Sequence, residues 1–507
     1  MSNKGKGRPN RGTTTPAAKP AIAPKKAPEP RSSKSAKGSA AARKSSNAAT
    51  AKWWTSWRVT GLLVLGLFIL YVASGNYVSA DEQNDTLWTA IPAWFLAKGQ
   101  TLNIESAPPL FGVPDWRFPV DGHLRSDRFP GAILTSVPFY WVLGKSSFTI
   151  LPSIIMASAT TAGAMGFMHR ALTKVAAPAT ALGGALLLAL GTGAWTVAAD
   201  APWTHGPVML GLAIGTWAMT TQHYAGAGLG YAYAILARPH IAVVPFVVGV
   251  WESVSRRSII PALKVGATSS IGIAAWLIYN RINAGAWIFF PGSYGERPPG
   301  AFRAVEIGDA PGWYDDIAGS FISLQRGWFV LSPFLLLLIP GIVNAWRVAP
   351  SWVRSSAAGG LVYLFVQLTA NGYTGGQGFF GYRLTLEPLL LLVPLLAMSF
   401  DAWTSRVKWR LITFVVLATL AVGWHTLGAF FFDFDPTLTN PPAWGFEAVQ
   451  AAQTGGPLAV LVSAAFAALV MGGLWYLWSM PGTRLLPDGI DSVDPKQRKG
   501  EVESATV

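Results

Sequence analysis

Long apolar segments recur along the chain and alternate with short polar or basic stretches. A helix that crosses the hydrocarbon core of a bilayer needs about 20 predominantly apolar residues. The pattern therefore predicts about twelve membrane-spanning helices. Their predicted bounds are 57–78, 148–168, 176–197, 207–221, 227–237, 240–253, 265–279, 328–346, 357–368, 388–400, 411–427 and 457–478.

Two further apolar segments lie between the first and second predicted spans. Residues 85–98 place Leu87, Ile91 and Phe95 on one helical stripe, and residues 133–143 are apolar but too short to span a bilayer. Both are predicted to be amphipathic helices that lie on the membrane surface. The sequence therefore predicts an all-α polytopic membrane protein with a long first extracytoplasmic loop.

The composition supports this class. Hydrophobic residues make up 51% of the chain and charged residues only 13%, whereas soluble proteins usually carry about a quarter charged residues. The 23 tryptophans fit side chains that lie at membrane interfaces. The absence of cysteine excludes disulfides and thiolate metal sites.

The net charge of +14 is concentrated in one segment. Residues 1–52 hold most of the excess Lys and Arg, with Glu29 as their single acid, and contain few large apolar residues. Such a segment is predicted to be a disordered cytoplasmic tail that contacts anionic lipid, and nucleic-acid binding is not favoured. Residues 53–480 are predicted to form the transmembrane domain, and residues 481–507 a second disordered cytoplasmic tail.

Basic residues orient the predicted spans. When the basic N-terminal tail is placed inside, each short loop rich in Arg and Lys also falls inside, as the positive-inside rule requires. The count predicts that both termini are cytoplasmic. It also predicts that the long polar segments, the first of which is 79–147, are extracytoplasmic.

Two adjacent acids follow the first predicted span. Asp81 and Glu82 would lie at the hydrocarbon boundary, where desolvation raises the basicity of a carboxylate and suits it to act as a general base. The alternative is an interfacial acid that caps the next helix. Asp85, one helical turn later, is expected to serve only as a cap or a surface charge.

Four cationic or titratable residues stand next to predicted spans. Arg238 lies between two apolar runs, Arg326 and Arg383 precede spans, and His205 ends a short outer turn. An ionisable residue at such a position is a candidate functional residue, because burying its charge is costly. Lipid-headgroup anchoring is the alternative for the arginines, and a polar helix cap is the alternative for His205.

These residue types suit the transfer of a group from a lipid phosphate. Arginine can hold phosphate oxygens without changing its protonation, and a carboxylate can take the proton of an acceptor hydroxyl. No Walker loop, dinucleotide fingerprint or His-Glu-x-x-His motif is present.

The order of several short motifs resembles the GT-C integral-membrane glycosyltransferases, near their bacterial protein-mannosyltransferase-like branch. The motifs are Asp81-Glu82, the segment 121–131, Trp203-Thr204-His205, Arg326-Gly327 and Gly381-Tyr382-Arg383. The resemblance covers residues 57–400.

The resemblance implies a transferase in a bacterial plasma membrane that uses a polyprenyl-phosphate-linked sugar and acts on the extracytoplasmic side with inversion. It implies that Asp81 is the catalytic acid residue with Glu82 beside it. Arg383, Arg238, Arg326, His205, Arg128 and His123 are the candidate residues for binding the donor phosphate or substrate. No counterpart of the C-terminal sugar-binding domain of the larger members is expected in this sequence, and the acceptor stays open among a cell-wall glycan, a lipid and a protein.

No cofactor is expected beyond the lipid-linked donor. Metal dependence is undetermined by the sequence, and no metal is expected because no ligand cluster of suitable spacing appears. A transporter or flippase of lipid-linked sugars is the alternative function. Transporters place ionisable groups near the bilayer midplane, and Arg238 is the residue that favours this alternative.

Overall fold

The computed structural model of the chain describes residues 46, 49–75, 84–107, 117–144, 146–289, 311–370, 373, 378–432 and 447–487. Helices dominate these residues, and the strands among them form a single two-stranded hairpin. The predicted all-α class is confirmed.

The elements run in chain order as follows. They are α1 (Trp57–Ala73), α2 (Asn84–Ala97), β1 (Arg117–Val120), β2 (His123–Ser126), α3 (Pro130–Leu143), α4 (Leu151–Leu172), α5 (Pro178–Leu190), a π-helix (Ala194–Ala198), α6 (His205–Met219), α7 (Tyr224–Ala237), a 3-10 helix (Pro239–Ala242), α8 (Val243–Arg256), α9 (Ile260–Asn283), α10 (Pro311–Ile322), α11 (Trp328–Leu331), a 3-10 helix (Pro333–Gly341), α12 (Ile342–Val348), α13 (Ser351–Ala370), α14 (Leu386–Ala402), a 3-10 turn (Thr404–Arg406), α15 (Lys408–Phe431) and α16 (Glu447–Ser479).

Each predicted span coincides with helical structure over most of its length. Five helical segments of the described residues are long and apolar enough to cross a membrane: Leu151–Leu172, Ile260–Asn283, Leu386–Arg406, Lys408–Phe431 and Glu447–Ser479. Shorter apolar helices, such as Trp57–Ala73, accompany them. The chain is therefore a polytopic membrane protein.

The spans differ in how deeply they are buried. Protein covers 72% of the apolar window in both Leu151–Leu172 and Leu386–Arg406, but only 28% in Ile260–Asn283 and 22% in Glu447–Ser479. The first two helices are central. The last two are peripheral and present apolar side chains outward, as a lipid environment requires.

Arg238 interrupts the helical structure between α7 and the 3-10 helix Pro239–Ala242. Its backbone is extended (φ −159°, ψ 98°), because the residue before a proline is disfavoured in the helical region. Pro239 then begins the 3-10 helix. The break lies where the sequence predicts the boundary between two short spans, and the Arg238 N–H still donates to Ala234 O and Ile235 O at the end of α7.

The two predicted amphipathic segments are helices α2 and α3. In α2 the buried residues extend around the helix beyond the predicted stripe, because Thr86, Thr89, Ala90 and Ala93 are each at most 1% exposed. Small residues on these additional faces let neighbouring elements approach closely. Helix α2 is therefore enclosed by protein over most of its length.

The hairpin β1–β2 is a feature that the sequence analysis did not predict. Its strands are joined by Asp121 and Gly122, which both have positive φ angles of 49° and 79°. An Asp-Gly pair is a typical two-residue hairpin turn. At the other end, Ser126 Oγ donates a 2.6 Å hydrogen bond to Trp88 O of α2, and Ser126 O accepts one of 2.8 Å from Asn283 Nδ2. These bonds fix the residues that follow the hairpin.

Candidate functional site

Asp85 connects two arginines that come from distant parts of the chain. Its Oδ2 accepts a 2.9 Å hydrogen bond from Arg383 Nη1, and its Oδ1 accepts a hydrogen bond from Arg128 Nη1. The side chains of Asp85, Arg383 and Arg128 are 18%, 16% and 10% exposed. The expectation that Asp85 is only a cap or a surface charge is wrong, since it is the shared acceptor of two guanidinium groups.

Local structure explains this meeting. Asp85 lies in the first turn of α2, where the helix dipole favours a negative charge. Arg128 follows the anchored end of the hairpin by two residues. The Arg128 guanidinium also donates two hydrogen bonds to the Asp127 carboxylate, from Nε to Oδ1 at 2.5 Å and from Nη2 to Oδ2 at 2.8 Å. This bidentate contact fixes the plane of the Arg128 guanidinium.

The electrostatic environment of Asp85 favours the carboxylate. Burial alone would raise its pKa, but the positive charges of Arg128 and Arg383 outweigh that effect and lower the pKa below its ordinary value. The bridge is therefore ionised at neutral pH, with one carboxylate between two cations.

Aromatic rings surround the Arg383 guanidinium. Its Cζ lies 4.5 Å from the ring centroid of Trp203 and 5.1 Å from that of Phe379. The two rings contact each other edge to face at 5.7 Å. Cation–π contacts of this kind hold a guanidinium plane in a fixed orientation. Phe379 also lies 4.2 Å from the Cζ atom of Arg326.

Arg326 is held by a carboxylate from the last long helix. Its Nη1 donates to both Glu447 oxygens, at 2.8 and 2.7 Å. Glu447 Oε2 also accepts a 3.2 Å hydrogen bond from the backbone N–H of Gly381. Arg326 is 4% exposed and Glu447 is 6% exposed. The structure therefore places Arg326 in a buried ion pair, on the same aromatic ring, Phe379, that Arg383 contacts.

His205, Arg238 and Glu387 form a third charged group. Glu387 Oε1 lies 2.7 Å from His205 Nδ1 and 3.1 Å from Arg238 Nη1. All three residues are at most 8% exposed. Because a carboxylate oxygen only accepts, His205 Nδ1 carries the proton. The 3.3 Å separation between Arg238 Nη1 and the same Nδ1 is then a close approach without a hydrogen bond.

The predicted residues thus divide into those that the structure brings together and those that it does not. Contacts link Arg128, Arg383 and Arg326 through Asp85 and Phe379. His205 belongs to the same region because Trp203, two residues earlier, packs on Arg383. Its partner Arg238 comes with it. The roles of these residues in binding a substrate stay predictions.

His123 lies apart from this cluster. Its Nδ1 is 2.8 Å from Glu105 Oε1, and the side chains of the pair are 49% and 40% exposed. The two predicted catalytic acids, Asp81 and Glu82, lie outside the described residues.

Sequence reasoning missed three acids that organise the site: Asp85, Glu387 and Glu447. The sequence did carry a signal for Glu387. An acid at the start of an apolar helix is costly to bury and is therefore a candidate functional residue, as Arg238 is. Asp85 was recognised only as a local cap. Glu447 gave no comparable signal, since it follows a polar segment and precedes a span with no recognised motif.

These residues define a class of protein: a polytopic all-α membrane protein with arginines, a histidine and their carboxylate partners gathered near the ends of apolar helices. No model of a known protein family matches the chain, and neither does any curated protein. Among solved structures, ArnT from Cupriavidus metallidurans bound to undecaprenyl phosphate is similar with a TM-score of 0.46 and 14% identity, over 82% of this chain and 77% of that chain. ArnT in the apo state is similar with a TM-score of 0.44 and 13% identity, over 82% and 76%.

Proposed function

We propose that the protein transfers a sugar from a polyprenyl-phosphate-linked donor to an acceptor in the cell envelope. The observation that carries the proposal is the bridge in which Arg128 and Arg383 converge on one carboxylate. Two guanidiniums that share an anionic partner, and that are 10% and 16% exposed, can also share the oxygens of a phosphate.

An apolar cavity supports a lipid-linked substrate. It is lined mainly by Leu, Phe, Val and Ala side chains. Thr192 contributes to its wall, and the adjacent Gly193 packs so closely that a Cβ there would lie 2.2 Å from Tyr382 O. Thr192, in the cavity wall, is therefore next in sequence to a residue that packs on Tyr382, which precedes Arg383. An apolar cavity near an arginine suits a ligand that carries an isoprenoid chain and a phosphate.

The general base of the proposed reaction is Asp81, with Glu82 beside it. The acceptor hydroxyl attacks the sugar C1 atom, and the bond between C1 and the phosphate oxygen breaks. The phosphate leaves with both electrons of that bond, and Asp81 takes the hydroxyl proton. Attack opposite the leaving phosphate inverts C1.

Membrane orientation follows from the basic loops and stays part of the proposal. With both termini cytoplasmic, the bridge and the acids after the first span face the extracytoplasmic side of a bacterial plasma membrane. No group of three or more potential metal ligands occurs among the described residues. Asp81 and Glu82 lie outside them, so a reaction without metal remains an expectation.

The buried group of Arg238, Glu387 and His205 favours the second candidate, a transporter or flippase of lipid-linked sugars. Buried ionisable residues mark substrate pathways in many transporters. In this protein His205 and Arg238 both pair with the same Glu387 oxygen, Oε1, which suits a fixed structural role as well as a moving one.

A single reconstitution experiment separates the two functions. The purified protein in lipid vesicles is given a panel of radiolabelled polyprenyl-phosphate sugars together with a cell-envelope extract. Movement of the radiolabel from lipid to an acceptor, lost in Arg383→Ala, supports the transferase. Movement of intact donor across the bilayer without transfer of the sugar would contradict the transferase and support the transporter.

A further inference from the structure

We infer that Glu447 is a positioning residue that holds residues 378–383, here called the arginine turn, and thereby aims Arg383. This role rests on the proposed function only in naming a polyprenyl phosphate as the ligand. Glu447 is the first residue of α16, a helix that lies outside the part of the chain with a recognisable family resemblance.

The geometry of the carboxylate carries the inference. Glu447 accepts two hydrogen bonds from Arg326 Nη1 and one from the Gly381 N–H. A single buried side chain therefore contacts both the backbone of the arginine turn and the cation beside it. Gly381 is two residues before Arg383, so any shift of this backbone moves the start of the Arg383 side chain.

The arginine turn depends on such support because it is irregular. Gly378 and Gly381 adopt φ angles of 84° and 85°, which glycine tolerates and other residues rarely adopt. A buried N–H that lacks a helix or sheet partner needs another acceptor. Glu447 supplies that acceptor at Gly381, and Thr196 Oγ1 donates a 2.8 Å hydrogen bond to Phe380 O one residue earlier.

The Arg326 side chain extends the same support to an aromatic ring. Its Cζ lies 4.2 Å from the centroid of Phe379, whose other guanidinium neighbour is Arg383 at 5.1 Å. The Arg326–Glu447 pair thus holds the arginine turn through one backbone amide and one ring. Both contacts end within four residues of Arg383, which bonds Asp85.

The alternative is that Glu447 only neutralises Arg326 and stabilises the fold. A second buried carboxylate that pairs with an arginine provides the control. Glu252 is 1% exposed, accepts a 3.2 Å hydrogen bond from Arg256 Nε and also accepts one from Ser355, although Arg256 itself is exposed. Glu252→Gln removes the same charge from a buried position that has no contact with the arginine turn among the contacts described for it.

The test uses the purified full-length chain and two measurements. Hydrogen–deuterium exchange reports the protection of residues 378–383, and titration with undecaprenyl phosphate reports the Kd for the lipid phosphate. Glu447→Gln is expected to remove exchange protection from the arginine turn and to raise the Kd about tenfold or more. Glu252→Gln is expected to change neither. Glu447→Asp, which keeps the charge, is expected to lie closer to the wild type in both measurements.

Three results would overturn the role. They are unchanged exchange and binding in Glu447→Gln, the same changes in Glu252→Gln, or equal losses in Glu447→Asp and Glu447→Gln. If the wild type binds no undecaprenyl phosphate while Glu447→Gln still loses protection in the arginine turn, the positioning role stands and the proposed function fails.

Discussion

Asp85 Oδ2 accepts a 2.9 Å hydrogen bond from Arg383 Nη1 although the two residues are 298 positions apart in the chain. The first turn of α2 thereby meets the arginine turn, and Arg128 joins them from the end of the hairpin. This bridge connects the segment after the two predicted catalytic acids to the predicted phosphate-binding arginine. It is the basis of the predictions for Arg383 and Asp85.

Replacing Arg383 tests the binding of the donor phosphate. Arg383→Ala removes one of two cations that share Asp85, so donor binding should weaken by about 2–5 kcal/mol. Arg347→Ala is the control, because this exposed arginine ends α12 at the predicted cytoplasmic side and should leave donor binding unchanged. The measurement is the Kd for undecaprenyl phosphate. Equal, small effects in both variants would contradict the assignment.

Replacing Asp81 tests the general base. Asp81→Asn keeps the shape of the side chain and removes its basicity, so single-turnover transfer should fall by about 10²- to 10⁴-fold while donor binding survives. Near-normal turnover in Asp81→Asn together with loss in Glu82→Gln would identify Glu82 as the base. Full activity in both variants would show that the proposed mechanism is wrong.

Asp85→Asn and Asp81→Asn should change different kinetic parameters. The substitution leaves Arg128 and Arg383 without their shared carboxylate, so the two cations repel and shift. The expected result is an altered KM for the donor with a smaller effect on kcat. A fall in kcat alone, as large as that of Asp81→Asn, would contradict a role for Asp85 in organising the arginines.

The stability of the protein should depend on pH through Asp85. Its pKa is lowered in the folded state by Arg128 and Arg383 and lies near its ordinary value when the chain is unfolded. The stabilisation is therefore complete above the unfolded pKa and disappears as the pH falls through the folded pKa. Thermal unfolding between about pH 5 and pH 2 should show a steeper loss of Tm in the wild type than in Asp85→Asn. Identical slopes would contradict the prediction.

Cysteine labelling tests the topology, since the native chain has no cysteine. Ser106 is exposed in the segment after α2, and Ser45 lies in the basic N-terminal tail outside the described residues. On intact cells, an impermeant maleimide should label Ser106→Cys and leave Ser45→Cys unlabelled. The opposite pattern would invert the orientation and place the arginine cluster on the cytoplasmic side.

Close packing between α6 and α7 gives a prediction about stability. A Cβ at Gly211 would lie 2.6 Å from Gly230 O and 2.7 Å from Ala234 N, and both contacts are to backbone. Gly211→Ala should destabilise the fold by about 1–3 kcal/mol, because the helices must separate. Gly266→Ala is the control, since a Cβ there meets nothing within 4 Å. Thermal unfolding in detergent measures both, and equal Tm values would argue against this interface.

The sequence was enough to predict the membrane class and most helices, because hydropathy and helical length are local properties of consecutive residues. It also determined the break at Arg238, which Pro239 imposes on its neighbour. It identified Arg238, Arg383, Arg326 and His205 as candidate residues, since charged and titratable side chains beside apolar segments are conspicuous in the chain, and Arg128 through the resemblance of the segment 121–131.

The pairing of the charges could not be predicted from the sequence and depends on the packing of the helices. Arg326 meets Glu447 at a separation of 121 residues, His205 meets Glu387 at 182, and Arg383 meets Asp85 at 298. No periodicity within a helix encodes such distances, because they depend on how the helices pack. The same packing left His123 at an exposed hairpin beside Glu105 and brought Glu447, from a helix without a recognised motif, to the backbone of the arginine turn.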